Sequence, residues 1–187
     1  MKTIYLAGGC FWGTEHFFKK IPGVISTEVG FSNGLSSIVN PSYKMVKQGD
    51  TGFAETVKLD YDEAILELKT IIKLYFKTID PTSLNHQGGD FGTQYRTGIY
   101  YTCNNDYIIA RDMLAEEQKK YSQPLAVELL PLKSFYTAEE YHQDYLDKNP
   151  DGYCHIPLSL MNYADELRKE YFSQKKETQI DFKINEF

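Results

Sequence analysis

An α+β fold is predicted for this chain of 187 residues, and three observations predict it. Periodic segments follow one another as β-α-β-β-α-β, the order of a ferredoxin-like split βαβ unit. Two irregular stretches, "SNGLSSIVNPSY" and "DPTSLNHQGGDFGTQYRT", interrupt that order and are too long to be simple connectors. Further helical patterns follow the unit's last strand. The expected architecture is a two-layer sandwich, helices packed on an antiparallel or mixed sheet, with long functional loops and extra C-terminal helices. One domain is expected over residues 1–187, ending in a tail at 173–187.

Taken in order, the apolar run in "MKTIYLAGG" gives a first strand over 4–7, and a helix is expected over 13–20. In 24–31, Ile25, Thr27, Val29 and Phe31 alternate with smaller or polar residues, the period of a strand. After the first long loop, a strand over 54–61 leads to a helix that Asp62 can cap. Its Ile65, Leu68, Ile72, Tyr75 and Phe76 recur along one helical face. The second long loop leads into a strand over 98–102, a helix over 106–121 and a strand over 127–132. "TAEE" at 137–140 has the form of a capping box and predicts another helix. A last helix is expected over 160–172. Beyond it, "SQKKETQIDFKINEF" reads as a solvated end in which Ile180, Phe182 and Ile184 alternate as an edge strand would.

Composition narrows the class. Apolar residues make up 42% and charged residues 25%, ordinary for a soluble globular chain. Net charge is −6, with no basic cluster beyond Lys119–Lys120 and Lys175–Lys176, which argues against nucleic acid as main partner. No segment approaches the roughly eighteen continuous apolar residues of a membrane helix, and the N-terminal run is too short for a signal peptide. A cytoplasmic protein is expected, where thiols stay reduced, and it is expected to be a monomer. The three cysteines are then not a disulfide framework, and at least one is a candidate reactive thiol.

The stretch "LAGGCFWGTEHFF" sets Cys10 beside Phe11 and the only Trp of the chain, Trp12, between glycines, where a strand gives way to a helix. Unpaired N–H groups and the helix dipole there favour an anion, so the Cys10 thiolate is expected to be stabilised. Gly8 and Gly9 let a ligand approach the sulfur, and Phe11 and Trp12 can wall an apolar slot beside it. The plainer alternative is a small buried cysteine next to a core tryptophan.

Four blocks, "GCFWG" (9–13), "NPSYKMVKQGDTGFAETV" (40–57), "DPTSLNHQGGDFGTQYRT" (80–97) and "FYTAEEYHQDYLDKNPDGYC" (135–154), occur in the order of peptide methionine sulfoxide reductase A, and the chain resembles that family over about residues 3–156. The resemblance implies that Cys10 attacks the sulfur of methionine S-sulfoxide, free or protein-bound, and becomes a sulfenic acid. It implies that Glu55 is the proton donor, with Tyr43 and Tyr95 as phenol donors to the sulfoxide oxygen and Asp90 on the polar side of the site. Read without it, Glu55 is an outward-facing strand residue, Tyr43 and Tyr95 are two of fifteen tyrosines, and Asp90 is a turn residue beside glycines. Among Phe11, Trp12 and Phe53, a desolvated carboxyl at Glu55 would hold its proton near neutral pH. Cys154 resembles the family's resolving cysteine, implying a Cys10–Cys154 disulfide that thioredoxin reduces. No metal and no organic cofactor is implied. The alternative for Cys154 is packing under the last helix, and Cys103 lies outside every motif and reads as structural.

The chain departs from the family's frequent pattern at Phe53, where many members carry His, and at Gly89, where many carry Asn. It also lacks the second C-terminal cysteine of some members, so thioredoxin is expected to attack the Cys10–Cys154 bond directly. Three rival readings stand beside this one: a cysteine hydrolase with His142 or His155 as base, a zinc module using Cys10, Cys154 and His155, and a redox sensor without turnover.

Overall fold

The computed structural model describes residues 1–184, with side chains through residue 174. Its elements are β1 (Lys2–Gly8), α1 (Phe11–Phe18), β2 (Val24–Ser32), α2 (Tyr43–Val46), β3 (Ala54–Tyr61), α3 (Leu68–Thr78), β4 (His86–Gln87), β5 (Asp90–Phe91), β6 (Thr97–Tyr101), α4 (Asn104–Gln118), β7 (Glu128–Pro131), β8 (Phe135–Thr137), α5 (Tyr145–Lys148) and α6 (Leu158–Ile184). Six strands form one sheet in the order β7-β6-β1-β3-β2-β8, and β4 with β5 makes a small separate ribbon. All pairs in the large sheet are antiparallel except β6 with β7. The α+β class and the mixed sheet are thus as expected.

Register explains the core. Ile99, Leu6, Val57 and Val29 stand opposite one another across four strands. All four are buried and meet Phe17 and Phe18 of α1 and Ile71, Ile72 and Tyr75 of α3. Each such side chain contributes about 1.5–3 kcal/mol on burial. Because side chains alternate along a strand, Glu55 shares the covered face with Val57 and Leu59, opposite Phe31 of β2. The other face carries a smaller apolar cluster of Ala7, Ala54 and Tyr100 and the ion pairs of Lys58 with Glu28 and Asp60.

Four local expectations differ. The alternation through Ile25 breaks at a bulge between Val24 and Ser26, which turns Ile25 outward (56% exposed). Asp62 does cap, but it caps a turn: its side chain accepts the Ala64 N–H at 3.0 Å, and α3 begins only after Glu67. Ile65 therefore sits outside the helix face and is exposed. "TAEE" opens no α-helix, because its Thr137 belongs to β8, paired with β2 as Gly30 opposite Thr137. Thr137 Oγ1 donates to Glu28 instead of capping, and Glu140–His142 makes only a 3-10 turn. Finally, α6 runs on through the segment read as a solvated tail or edge strand, so Ile180, Phe182 and Ile184 follow a helical backbone. The run is rich in Glu, Lys and Gln, good helix formers. Residues 185–187 of that segment lie outside the described residues. Among the described residues no helix is long and apolar enough to cross a membrane.

Candidate active site

Cys10 is the N-cap of α1, reached from β1 through Gly9, whose φ of +80° only glycine adopts freely. A side chain at Gly9 would also strike Gln87 Cβ at 2.6 Å. Gln87 is clamped in place, its amide accepting the Asp80 N–H and donating to the Asp80 carbonyl, both at 2.8 Å. The turn bearing the thiol is thus closed by the second long loop. Cys10 is 6% exposed.

The expectation of a stabilised thiolate is not met in this state. Burial, with the nearby Glu55 carboxyl second, pushes the Cys10 thiol well above its ordinary range, and the Trp12 amide pulls the other way without compensating. Desolvation outweighs the helix end here. Glu55 is buried, as register requires, and its Oε2 accepts the Phe11 N–H at 3.0 Å. Burial pushes its pKa up to about 8, with Asp90 adding to the rise. At neutral pH the resting site holds a thiol and a carboxylic acid.

The two long loops deliver the remaining groups. Ser42 caps α2 through the Met45 N–H, and Glu139 accepts the Tyr43 N–H at 3.0 Å, which fixes Tyr43. Arg96 donates to the carbonyls of Thr93 and Gly52 at 3.0 and 2.9 Å, tying the turn that carries Tyr95 to the strand start that carries Glu55. Tyr43 and Tyr95 feel each other and both feel Glu55, Asp90 and Cys10. Burial pushes Tyr43 up to about 12 and Tyr95 higher still, so both are neutral phenols able to donate. Asp90 is raised by burial and held by the Tyr153 hydroxyl, which also accepts the Gly89 N–H at 2.9 Å. Cys10, Glu55, Tyr43, Tyr95 and Asp90 are therefore brought together.

Phe11 is 1% exposed and backs the site rather than lining an open slot. It packs on Phe31 and Tyr43, with ring centroids at 5.8 and 6.4 Å. Trp12 is half-buried, stacked on Tyr145 at 3.7 Å and 12°. Its indole N–H donates to His142 Nδ1 at 3.0 Å, and the His142 ring stands 4.3 Å from that of Tyr43. Tyr145 and Tyr153 are not picked out as site residues by the sequence, and His142 enters there only as the base of the rival hydrolase reading. The only signal was their place within "FYTAEEYHQDYLDKNPDGYC", because the contacts depend on a return of the chain that no periodicity announces. With Nδ1 taken by Trp12, His142 is committed to the aromatic wall. Phe53, by contrast, packs against Tyr136 at 5.7 Å and fills the space at Gly34.

Cys154 lies half-buried over Gly13, one turn along α1 from Cys10. A Cβ at Gly13 would come within 3.0 Å of its sulfur. Burial raises the Cys154 thiol, which donates to the Ile156 carbonyl at 3.6 Å. On its outer side Cys154 lines a groove of about 590 Å³ with Lys20, Leu146, Ile156 and Met161. All three cysteines are free, and Cys103 is exposed at the start of α4. Among the described residues no three His, Cys, Asp or Glu side chains are placed to hold a metal ion, so Cys10, Cys154 and His155 form no such set.

The family model described as peptide methionine sulfoxide reductase matches residues 2–179. A peptide methionine sulfoxide reductase MsrA of Lachnoclostridium phytofermentans is 57% identical over 155 residues, covering 83% of this chain and 92% of that one. The structure of Mxr1 from Saccharomyces cerevisiae in reduced form is similar at a TM-score of 0.80 and 41% identity, over 84% of this chain and 91% of that one. Mxr1 in complex with Trx2 is similar at a TM-score of 0.54 and 25% identity, over 77% and 84% of the two chains. Matched along nearly its whole length, the chain belongs to the peptide methionine sulfoxide reductase family.

Proposed function

We propose that this family member reduces methionine S-sulfoxide, free or in proteins, through Cys10, with Glu55 as acid and Cys154 as resolving thiol. The observation that carries the reading is the buried Glu55 carboxyl, pushed by burial up to about 8, held against the Phe11 amide beside a buried Cys10. A sulfoxide oxygen entering between Tyr43, Tyr95 and Glu55 meets three neutral donors, which suits an oxygen that must gain a proton as its S–O bond weakens. Cys10 attacks the sulfoxide sulfur, Glu55 protonates the oxygen, and the oxygen ends on Cys10 as methionine leaves. Glu55 recovers its proton from the thiol, so the balance is one thiol and one sulfoxide to one sulfenic acid and one thioether. Trp12, backed by Phe11, takes the methyl and side-chain carbons, and Asp90 holds the polar side.

Cys154 then displaces hydroxide from the sulfenic acid, giving the Cys10–Cys154 disulfide and water. Thioredoxin is the external reductant, in line with the Mxr1–Trx2 complex, and no prosthetic group takes part. Of the two sulfurs, Cys154 opens on the groove. We also read β6-β1-β3-β2, alternating in direction, as a ferredoxin-like sheet within a single catalytic domain over residues 1–187. A monomer working in the cytoplasm suits three free thiols.

The test is a single-turnover assay. Reduced protein is mixed with the separate S and R epimers of a methionine sulfoxide peptide without thioredoxin, and methionine formed and thiols lost are counted. Methionine from the S epimer alone, with two thiols lost per enzyme, is expected. No methionine from either epimer would leave the redox-sensor reading in its place.

A further inference from the structure

His155 is the neighbour of Cys154, and nothing in the scheme above uses it. Its imidazole fills the trough left by glycines around the Cys10 turn. The ring approaches the Cβ positions of Gly9 and Gly13 at 3.4 and 3.3 Å, and its own Cβ closes on that of Gly88 at 2.8 Å. Nδ1 of the ring and the Cys154 sulfur thus stand over the same point of α1. Both ring nitrogens are buried and neither meets a partner in good hydrogen-bond geometry, the Gly8 carbonyl being the one backbone group that acts on the ring. A phenyl ring would fill the trough without that cost, so packing alone does not account for an imidazole.

We propose that His155 carries the proton of Cys154 during disulfide formation. The inference rests on Cys154 being the resolving thiol. In the resting state that thiol is protonated and points at the Ile156 carbonyl, which can accept a hydrogen bond but cannot take the proton away. Lys20, on the groove side, is a cation paired with Asp165 at 3.0 Å and has no lone pair to offer. Burial pushes the His155 pKa down to about 4, so the ring is neutral, with a lone pair free. A base this weak works by passing the proton on. Cys154 Sγ bonds to Cys10 Sγ as the S–O bond breaks, its proton moves to the imidazole, and the departing hydroxide takes that proton and leaves as water. One sulfenic acid and one thiol become one disulfide and one water, and the Gly8 carbonyl, which favours the charged ring, steadies it in passing.

The experiment follows two signals in one turnover of the full chain with a methionine S-sulfoxide peptide, quenched at intervals with an alkylating reagent. Methionine reports the first step, and the mass of the disulfide form reports the second. For His155→Phe, which fills the trough, and for His155→Gln, the methionine burst stays native while disulfide formation slows about 10²-fold. In His155→Ala, added imidazole restores the second step, and substituted imidazoles do so in order of their basicity. Disulfide closure at the native rate in His155→Phe would overturn the proposal, as would a slow His155→Ala that imidazole does not accelerate. Should His155→Ala lose its burst through misfolding, the Phe and Gln variants decide alone. Native protein that forms methionine but no disulfide would instead overturn the resolving role of Cys154, and this inference with it.

Discussion

Glu55 accepts the backbone N–H of Phe11 at 3.0 Å, so the acid of the site is bonded to the first turn of the helix that Cys10 caps. That bond would normally hold a carboxylate ionised. Burial wins, and the acid keeps its proton to about pH 8. Glu55→Gln preserves an acceptor for Phe11 but has no proton to give. The rate of methionine formation in a single turnover should fall by about 10²-fold, with the melting temperature little changed. In the native protein the same rate should decline as pH rises through about 8, and rapid quench across pH 6–10 (roughly the range that brackets this proton) should show that limb vanish in the Gln variant.

Stability should carry the same signature from a second buried acid. Glu15 is 2% exposed, accepts the Asp144 N–H and the Thr27 hydroxyl, and is pushed by burial from 4.5 to about 7. The unfolded chain releases these protons near the ordinary carboxylate range while the fold retains them. Unfolding therefore becomes easier as pH rises from about 4.5 through 7 and, for Glu55, on to about 8. Glu15→Gln should flatten the lower part of that decline. Chemical denaturation at closely spaced pH values measures it, and an unchanged slope would remove Glu15 from the account.

Gly13 gives a way to move Cys154 without touching either thiol. The Cβ of Gly13→Ala would meet the Cys154 sulfur at 3.0 Å. Displacing a reacting atom by a fraction of an ångström to an ångström costs on the order of 10–10²-fold. The methionine burst should persist while thiol loss lags behind it, and a burst that slows equally would place Gly13 in the first step instead.

Removing the thiols one at a time separates the two halves of the cycle. Cys10→Ser should form no methionine, since the sulfur that takes the oxygen is gone. Cys154→Ser should form one equivalent and stop, leaving a sulfenic acid that a dimedone-type reagent traps. Sustained turnover of Cys154→Ser with thioredoxin would withdraw the resolving role.

The sequence made the gathering of Cys10, Glu55, Tyr43, Tyr95 and Asp90 more legible than the scaffold around it. Cys10 and Glu55 sit in short motifs whose neighbours also fix their positions, and β3 runs over the residues expected of it. The Cys10 thiol illustrates the limit: its helix-end position was readable, but the depth of burial that reverses the expected shift was not. "TAEE" has a local preference for a helix start, and the free edge of β2 overrode it by pairing with Phe135–Thr137. His142 and Tyr145 join the site only because that strand brings the following segment back over Trp12. Such contacts link residues more than a hundred positions apart, where periodicity carries no information.

The placing of Cys154 over the Cys10 turn also has a meaning for the chain as it is made. The two thiols lie 144 positions apart, and ribosomes add roughly 5–20 residues per second. Cys10 therefore emerges well ahead of the thiol that would rescue it, for an interval of roughly seven to thirty seconds. The turn that buries it is sealed by Gln87 and His155, the second of which arrives one residue after Cys154. During synthesis the proposed nucleophile is a thiol without the neighbours that later bury it, and its burial is completed almost in step with the arrival of its proposed resolving partner.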